Sequence, residues 1–576
     1  MSEKAMSEKA MSESSMSELQ GVGASPGLAV GPVVTVGTVD VTLTALDDPI
    51  PAIQASATRV SAKLSSLSDD AKAAGRDEAG DVLNAQSLIA EDEMITDAVG
   101  EHLDEGLDLE AAFAAAATQL EQLLASLPDP YLSARAADVG EVMSAIKRDL
   151  AGEDSDDIAL SEPSILVAEE LTAAETAGLD PAMVLGFATV TGGATSHVAI
   201  IARSLGVPAV VGVVGLLDTT FERACLDGAT GEFFPSPSAE VEAEFEARSN
   251  AEAELQQRLT AVHGTKADMA GKGSIEVAGN VASPEDIDRA VAAASDGVGL
   301  FRTEFLFLDT PSPPNEEEQY EIYSRAAKAW TETVVIRTFD IGGDKPAEYL
   351  DLPPEENPFL GQRGVRIYEQ FQDLLDAQLR AALRAAAHGK VAIMVPMVAV
   401  IEEFLLVKNR VEAIRAALTD EGIEFGDIEL GVMVEVPSVA LIASAFAEHV
   451  DFFSIGTNDL TQYTMAADRL MGSLSSLHDP LHPAVLRLCA MVADAAAPKG
   501  LSVSVCGLAA ADPMAAVIFA SLGITKLSVS ANSVDLIKAT LSVQDEEIVG
   551  HVSRVLDSAA SAEDVRAGLE PHLRRP

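Results

Sequence analysis

Eight short runs rich in Val, Ile and Leu recur through the C-terminal half of this 576-residue chain, at 275–281, 298–303, 334–341, 391–398, 430–436, 452–456, 502–506 and 526–530. Helix-compatible segments separate them. Eight β/α repeats over about 310 residues fit a closed (β/α)8 TIM barrel. No other feature narrows the fold as far. In such a barrel, reactive groups belong at the C-terminal ends of the strands. Arg302 and Glu304 follow the second run there, and Arg337 and Asp340 flank the end of the third. Glu435 lies on the fifth, Asn458 and Asp459 follow the sixth, and Cys506 ends the seventh. Singly, each has a plain structural explanation, because strand-end arginines pair with acids and cysteines fill cores. Together they offer cations for phosphate and carboxylate, acidic oxygens for a hard ion such as Mg²⁺, and one thiol. That combination suits a phosphorylated acid.

The N-terminal half reads differently. Residues 21–36 (GVGASPGLAVGPVVTV) form an opening turn and strand, and strand-like runs return at 164–168, 188–190 and 209–214. Between them the chain is rich in Ala, Leu and Glu. Ile53, Val60, Leu64 and Leu67 fall on one helical face, as do Val139, Val142, Ile146 and Leu150. Pro128-Asp129-Pro130 marks a turn between two helices. The expected organisation is a multidomain α/β protein. An α/β domain (19–50 and 156–237) carries an inserted helical subdomain (51–155), followed by a helical linker (238–263) and the barrel (264–576). Residues 1–18, a Met-Ser-Glu repeat without an apolar core, read as a disordered tail with two candidate starts, Met1 and Met16.

One segment of the α/β domain stands apart. Thr191-Gly192-Gly193-Ala194-Thr195-Ser196-His197 runs directly into the helix-compatible Val198-Ala199-Ile200-Ile201-Ala202-Arg203. Free backbone N–H groups and the helix dipole favour a dianion at that point, and the glycines let backbone approach it. Thr195 or Ser196 can donate a hydrogen bond. A histidine so placed suits a nucleophile that carries a phosphoryl group. An N-capped helix with a polar first-turn histidine accounts for the same residues.

The charge describes the solvent more than the chemistry. There are 91 acidic residues against 38 basic ones, a formal net of −53 spread along the whole length. Nucleic acid and anionic membrane are poor partners for that surface. Multimolar salt would screen the self-repulsion, so the composition points to a halophile. No uncharged apolar run approaches the roughly 20 residues of a membrane span. Three scattered cysteines make neither a disulfide framework nor a zinc site, and a cytoplasmic location is expected.

Residues 192–212 (GGATSHVAIIARSLGVPAVVG) closely resemble the phosphohistidine segment of the phosphoenolpyruvate-utilising enzymes. GVGLFRTEFLF at 297–307, RTFDIGGDK at 337–345, NPFLGQRGVRI at 357–367, GVMVEVPSVA at 431–440 and FFSIGTNDLTQYTMAADR at 452–469 resemble the Enzyme I group within that family, in the expected order. The resemblance implies that His197 is phosphorylated, through Nε2. It implies that Arg302, Arg337, Asn458, Asp459 and Arg469 bind phosphoenolpyruvate, that Glu435 and Asp459 ligate Mg²⁺, and that Cys506 protonates the enolate. It also implies the phosphocarrier protein HPr as acceptor, a hinge near the linker and a homodimer formed through the C-terminal domain. Three departures stand out. Gln362 replaces a usual tryptophan, Ala194 a common arginine, and Leu508, beside Cys506, a usual glutamate.

The alternatives within the family are a phosphoenolpyruvate synthase or pyruvate phosphate dikinase, and an inactive regulatory homologue. The first needs a large nucleotide-binding domain ahead of the histidine. Here the preceding residues carry no lysine-containing glycine-rich phosphate loop, and YLSARAADVGEV at 131–142 resembles a helix of the HPr-docking subdomain. The second would have been favoured by loss of His197, Arg302 or Glu435, and all three are present. A metal-dependent lyase on the same barrel leaves the N-terminal half unexplained. His478 and His482 are the rival histidines near a strand end.

Overall fold

The chain divides into two compact units, Met1–Ala253 and Glu254–Pro576. In a computed structural model the described residues are 18–576, apart from 38–40, 47, 75, 127–135, 153–157, 159, 194–195, 309, 343–346, 348, 351 and 354. The expected tail, the 128–130 turn, residues 131–135 of the docking-helix motif, Ala194 and Thr195 therefore lie outside the described residues. Among the described residues, no helix is long and apolar enough to cross a membrane.

The first unit is built on β1 (Leu19–Gln20), β2 (Val22–Ser25), β3 (Leu28–Val36), β4 (Ser164–Ala168), β5 (Val184–Thr189), β6 (Ala209–Val211), β7 (Arg223–Asp227) and β8 (Glu232–Pro235). They form one sheet in the order β1-β8-β7-β3-β4-β5-β6-β2. The run from β3 to β6 is parallel, and the flanking pairs are antiparallel. Strand β4 sits centrally and is buried throughout, which explains its unbroken apolar sequence. Its side chains alternate between two cores. Leu166 and Ala168 pack with Phe187, Val198 and Ala202 on one face, while Ile165 and Val167 pack with Val210, Leu226 and Phe233 on the other.

Strand β5 begins four residues earlier than its sequence pattern suggests. Gly186 weakens the signal, yet packing requires it, because a Cβ there would meet the Pro208 carbonyl at 3.0 Å. Strands β7 and β8 have no strong apolar alternation and are joined by a tight turn. In it the Asp227 carboxylate accepts from the N–H groups of Ala229 and Thr230, at 2.9 and 3.1 Å.

Between β3 and β4 the described residues form five helices: Pro49–Ala73, Asp77–Glu91, Glu93–Asp104, Leu109–Ala125 and Ala136–Leu150. The anticipated faces are inward. Ile53, Val60, Leu64, Val139, Val142 and Ile146 are buried in one cluster, with Leu67 and Leu150 packed at its margin. That cluster also takes in Ile201, from the helix His197–Leu205. The histidine helix thus turns Val198, Ala199 and Ala202 to the sheet and Ile201 to the helical block. This sandwiching holds His197 beside the helix Ala136–Leu150.

The second unit closes a barrel from β10 (Gly273–Val281), β11 (Val298–Phe301), β12 (Val334–Arg337), β13 (Val391–Val395), β14 (Ile428–Val434), β15 (Phe452–Ile455), β16 (Ser502–Val505) and β17 (Lys526–Val529). Each pairs in parallel with the next, and β17 pairs with β10. All eight expected runs are strands. A short strand β9 (Ala267–Met269), not anticipated, lies antiparallel to the start of β10. Leu300, Val335, Ala392, Met394, Met433, Phe452 and Cys506 form one inner cluster. The much larger apolar layer lies between strands and helices. A helix, Ala239–Val262, occupies the expected linker.

Candidate functional sites

His197 is the first residue of its helix, as the sequence suggests. Ser196 caps it, its Oγ accepting from the Ala199 N–H at 3.4 Å, and Gly206 ends it in the left-handed conformation. Gly192 has φ +102°, which favours glycine at the turn ahead of the helix. The imidazole is held at both nitrogens. Nδ1 lies 2.7 Å from Glu141 Oε1 and Nε2 lies 2.9 Å from Asp138 Oδ1. Burial works against the charged ring, but the two carboxylates outweigh it and push His197 up to about 10. Behind them, the Gln86 amide donates to Asp138 Oδ1 at 3.3 Å and to Glu141 Oε2 at 2.8 Å. Gln86 and Asp138 are buried.

In the second unit, a cavity of about 460 Å³ opens at the C-terminal ends of the barrel strands. It brings together every sequence-predicted barrel residue: Arg302, Arg337, Glu435, Asn458, Asp459, Arg469 and Cys506. It also takes in Arg363, from the NPFLGQRGVRI segment, to which no role was assigned. Arg363 follows no strand, so reading strand ends passes over it. Its Nε donates to Asp340 Oδ1 at 3.0 Å and its Nη2 to Asp340 Oδ2 at 2.5 Å, while its Nη1 is buried without a hydrogen-bond partner.

The cations are arranged with their counter-charges. Arg337 donates to Glu304 and lies 3.6 Å from Asp340, and Arg469 donates to Asp459 Oδ1 at 3.0 Å. Burial lowers the pKa of Arg337 and of Arg363, but neighbouring carboxylates reverse the effect and raise both. Arg302 differs. Among the described residues its guanidinium makes no hydrogen bond or ion pair, and burial together with Arg337 lowers its pKa. A partly buried cation without an ion-pair partner is costly, and a charge-assisted hydrogen bond to an anion would offset that cost.

Glu435 is buried, and its Oε1 accepts from the Met397 N–H at 2.6 Å. Burial, Asp459 and Asp340 raise its pKa above the carboxylate range. Two crowded carboxylates facing one cavity fit a divalent cation, which would relieve their repulsion. Among the described residues no three His, Cys, Asp or Glu side chains converge as a metal cage, so Glu435 and Asp459 would supply only part of a shell. The Cys506 thiol donates to the Ile455 carbonyl at 3.6 Å, and burial pushes it up to about 11. The thiol therefore keeps its proton. Asn458 Oδ1 accepts from the Leu508 N–H at 3.1 Å. A Cβ on the intervening Gly507 would strike Thr457 Oγ1 at 1.9 Å.

Of the rival histidines, His478 lines the cavity, whereas the ring of His482 accepts from the Ala484 N–H as a helix cap. Gln362 is exposed, its N–H donates to the Glu355 carboxylate, and it does not itself line the cavity, although the adjoining Arg363 does. Cys225 and Cys489 are buried. The residues that sequence reasoning missed are Gln86, Asp138 and Glu141. The last two stand in the quoted 131–142 segment, but nothing in its pattern ties them to a histidine far along the chain.

Three family descriptions match the chain in succession: "PEP-utilising enzyme, N-terminal" over residues 20–135, "mobile domain" over 160–231 and "PEP-binding domain" over 256–545. Among curated relatives, a phosphoenolpyruvate-protein phosphotransferase of Haloferax volcanii is 42% identical, covering 86% of this chain and 87% of its own. Those of Streptomyces coelicolor and Priestia megaterium are 39% and 36% identical, covering 96% and 95% of this chain and 99% and 98% of theirs.

Proposed function

The chain belongs to the phosphoenolpyruvate-utilising enzymes, and on that premise we propose that it transfers the phosphoryl group of phosphoenolpyruvate to His197, releasing pyruvate, and then to a histidine of the phosphocarrier protein HPr. This is the first step of phosphoenolpyruvate-dependent sugar phosphotransfer. One observation carries the reading: in a chain of net charge −53, four arginines gather at one cavity and one of them, Arg302, lacks a counter-charge. In so acidic a protein a cation left without an ion pair at a cavity is suited to an incoming anion.

In this mechanism Arg302, Arg337 and Arg469, with Asn458 and Asp459, hold the phosphate and carboxylate of the substrate, and Arg363 joins them through its unpartnered Nη1. Glu435 and Asp459 would hold Mg²⁺, which would supply Lewis-acid neutralisation of the negative charge that develops during transfer. Nε2 of His197 attacks in line. The N–P bond forms as the bond from phosphorus to the enol oxygen breaks. Positioning and electrostatics supply most of the catalysis, as in other phosphoryl transfers. The enolate takes the Cys506 proton at its methylene carbon, giving pyruvate. The phosphorylated histidine then passes its phosphoryl group to HPr, docked on the helical subdomain. The protein works in the cytoplasm as a homodimer formed through its C-terminal domain.

Incubation with labelled phosphoenolpyruvate and Mg²⁺ at high potassium chloride tests this directly. The chain should take up acid-labile, base-stable phosphate and lose it to added HPr. His197→Ala should take up none. Persistent labelling of that variant would refute the assignment.

A further inference from the structure

We propose that Gln86, Asp138 and Glu141 form a releasable hold on His197, in which Glu141 orients the ring through Nδ1 while Asp138 blocks Nε2 until transfer begins. The inference rests on His197 as phosphoryl acceptor.

A neutral imidazole has one N–H and one lone pair, so it can donate to only one carboxylate. Here carboxylate oxygens lie 2.7 Å from Nδ1 and 2.9 Å from Nε2. That arrangement selects the doubly protonated ring. An imidazolium has no lone pair at Nε2 and cannot attack phosphorus, so the held state is chemically silent. Titration agrees with the geometry, since the ring is pushed up to about 10.

The two carboxylates are not equivalent. They lie three residues apart on the helix Ala136–Leu150 and so share a face. Glu141 occupies the nitrogen that stays protonated when Nε2 is phosphorylated, so its contact survives the reaction. Asp138 occupies the place the phosphoryl group must take. A dianion entering there meets a buried like charge, and Asp138 must withdraw after accepting the Nε2 proton. The lone pair so freed forms the N–P bond.

Gln86 makes the hold a unit. Its single amide nitrogen donates to both carboxylates from the helix Asp77–Glu91. It fixes their spacing against mutual repulsion and is a positioning residue. The other charged groups nearby do not substitute for it. Glu170 is exposed as a residue; partial desolvation and Glu141 raise its carboxyl and His197 lowers it, with Glu169 and Glu175 adding negative charge. Arg148 is paired with Glu175 at 3.1 Å.

The test uses the full chain in two arms. In the first, without substrate, the ring ¹⁵N resonances of His197 are followed against pH. They should report a doubly protonated ring past pH 8 in the native chain. Asp138→Asn and Glu141→Gln should each lower the midpoint by about one unit or more, and Gln86→Leu by less. A native midpoint between 6 and 7 overturns the hold without relying on any variant's folding. In the second arm, labelling from phosphoenolpyruvate is timed. Asp138→Asn should label about threefold or more faster at pH 7, whereas Glu141→Gln should label about tenfold slower at pH 9. Equal effects of the two substitutions overturn the division of roles. A native chain with a high midpoint that takes no label instead refutes His197 as acceptor, which separates the two failures.

Discussion

The His197 site and the barrel mouth use the same materials to opposite ends. Around His197, two carboxylates face a base that can lose its charge, and their effect is to fix its protonation state. At the barrel mouth, carboxylates face guanidinium groups that cannot lose theirs, and their effect is to aim them. The first arrangement makes a switch, because removing one proton changes what the site can do. The second makes a paired cradle, in which, among the described residues, Arg302 is the one arginine of the four with no ion pair. A carboxylate beside a cation therefore says little until the partner's titration range is known.

The comparison breaks most readily at the cradle. Arg302→Met removes a cation that makes no hydrogen bond or ion pair among the described residues, and the nearby Glu304 keeps its pairing with Arg337, so no buried acid is stranded and the fold should persist. Losing its charge-assisted contacts to substrate should cost about 2–5 kcal/mol, a fall in kcat/KM on the order of 10²–10³-fold. Glu435→Gln should instead raise the Mg²⁺ concentration for half-maximal rate at least about tenfold. Steady-state kinetics across Mg²⁺ concentrations separate the two. If Arg302→Met lost less than about threefold, the unpaired arginine would not be the anion site.

How these regions appear in sequence differs for the same reason. The barrel was legible because parallel strands buried on both faces leave unbroken apolar runs, and because the fold itself says where chemistry collects. Arg302, Glu435 and Cys506 could be picked out without any partner being known. Arg363 could not, since it reaches the cavity from a loop and is placed by its two bonds to Asp340. The histidine helix was legible from its glycines and its cap. Gln86 and Asp138 were not, because they meet His197 only through the packing of three helices, and helical periodicity marks buried faces rather than polar partners. Strands β7 and β8 escaped because their turn carries the signal and their own residues carry little.

A smaller effect sharpens the contrast by pH. The ring of His197 titrates at about 10 in the folded chain and near 6.5 when unfolded. A raised pKa means that the folded state binds the proton more tightly. The resulting stabilisation is complete below pH 6.5 and is lost as pH rises towards 10. It is on the order of 5 kcal/mol. Amide hydrogen exchange in the helix Ala136–Leu150 should therefore quicken across that window beyond its chemical dependence on pH. Asp138→Asn should remove most of the trend. Arg337 and Arg363 stay charged throughout, so β12 should show no comparable acceleration. Parallel behaviour of the two regions would erase the distinction between switch and cradle.

The smallest effect concerns Leu508, where the family resemblance implies glutamate. Its side chain is 72% exposed at the rim, and the contact it makes to the site comes from its backbone N–H, which donates to Asn458 Oδ1. Any residue other than proline can supply that bond. The thiol of Cys506 is governed by its own burial, then by Ser454, and less strongly by Arg337, Glu435 and Arg302. A solvent-facing group two residues away, screened by water and salt, adds little to that balance. Leu508→Glu should therefore change kcat by less than about threefold, in keeping with the roughly 0.5 kcal/mol of most surface substitutions. The sensitive measurement is the salt dependence of KM. A new carboxylate beside the unpaired Arg302 should raise KM at low salt, and the penalty should fade as screening grows. A large loss of kcat at high salt would instead mean that the rim side chain takes part in proton delivery by Cys506, and that the cradle is less self-contained than its ion pairs suggest.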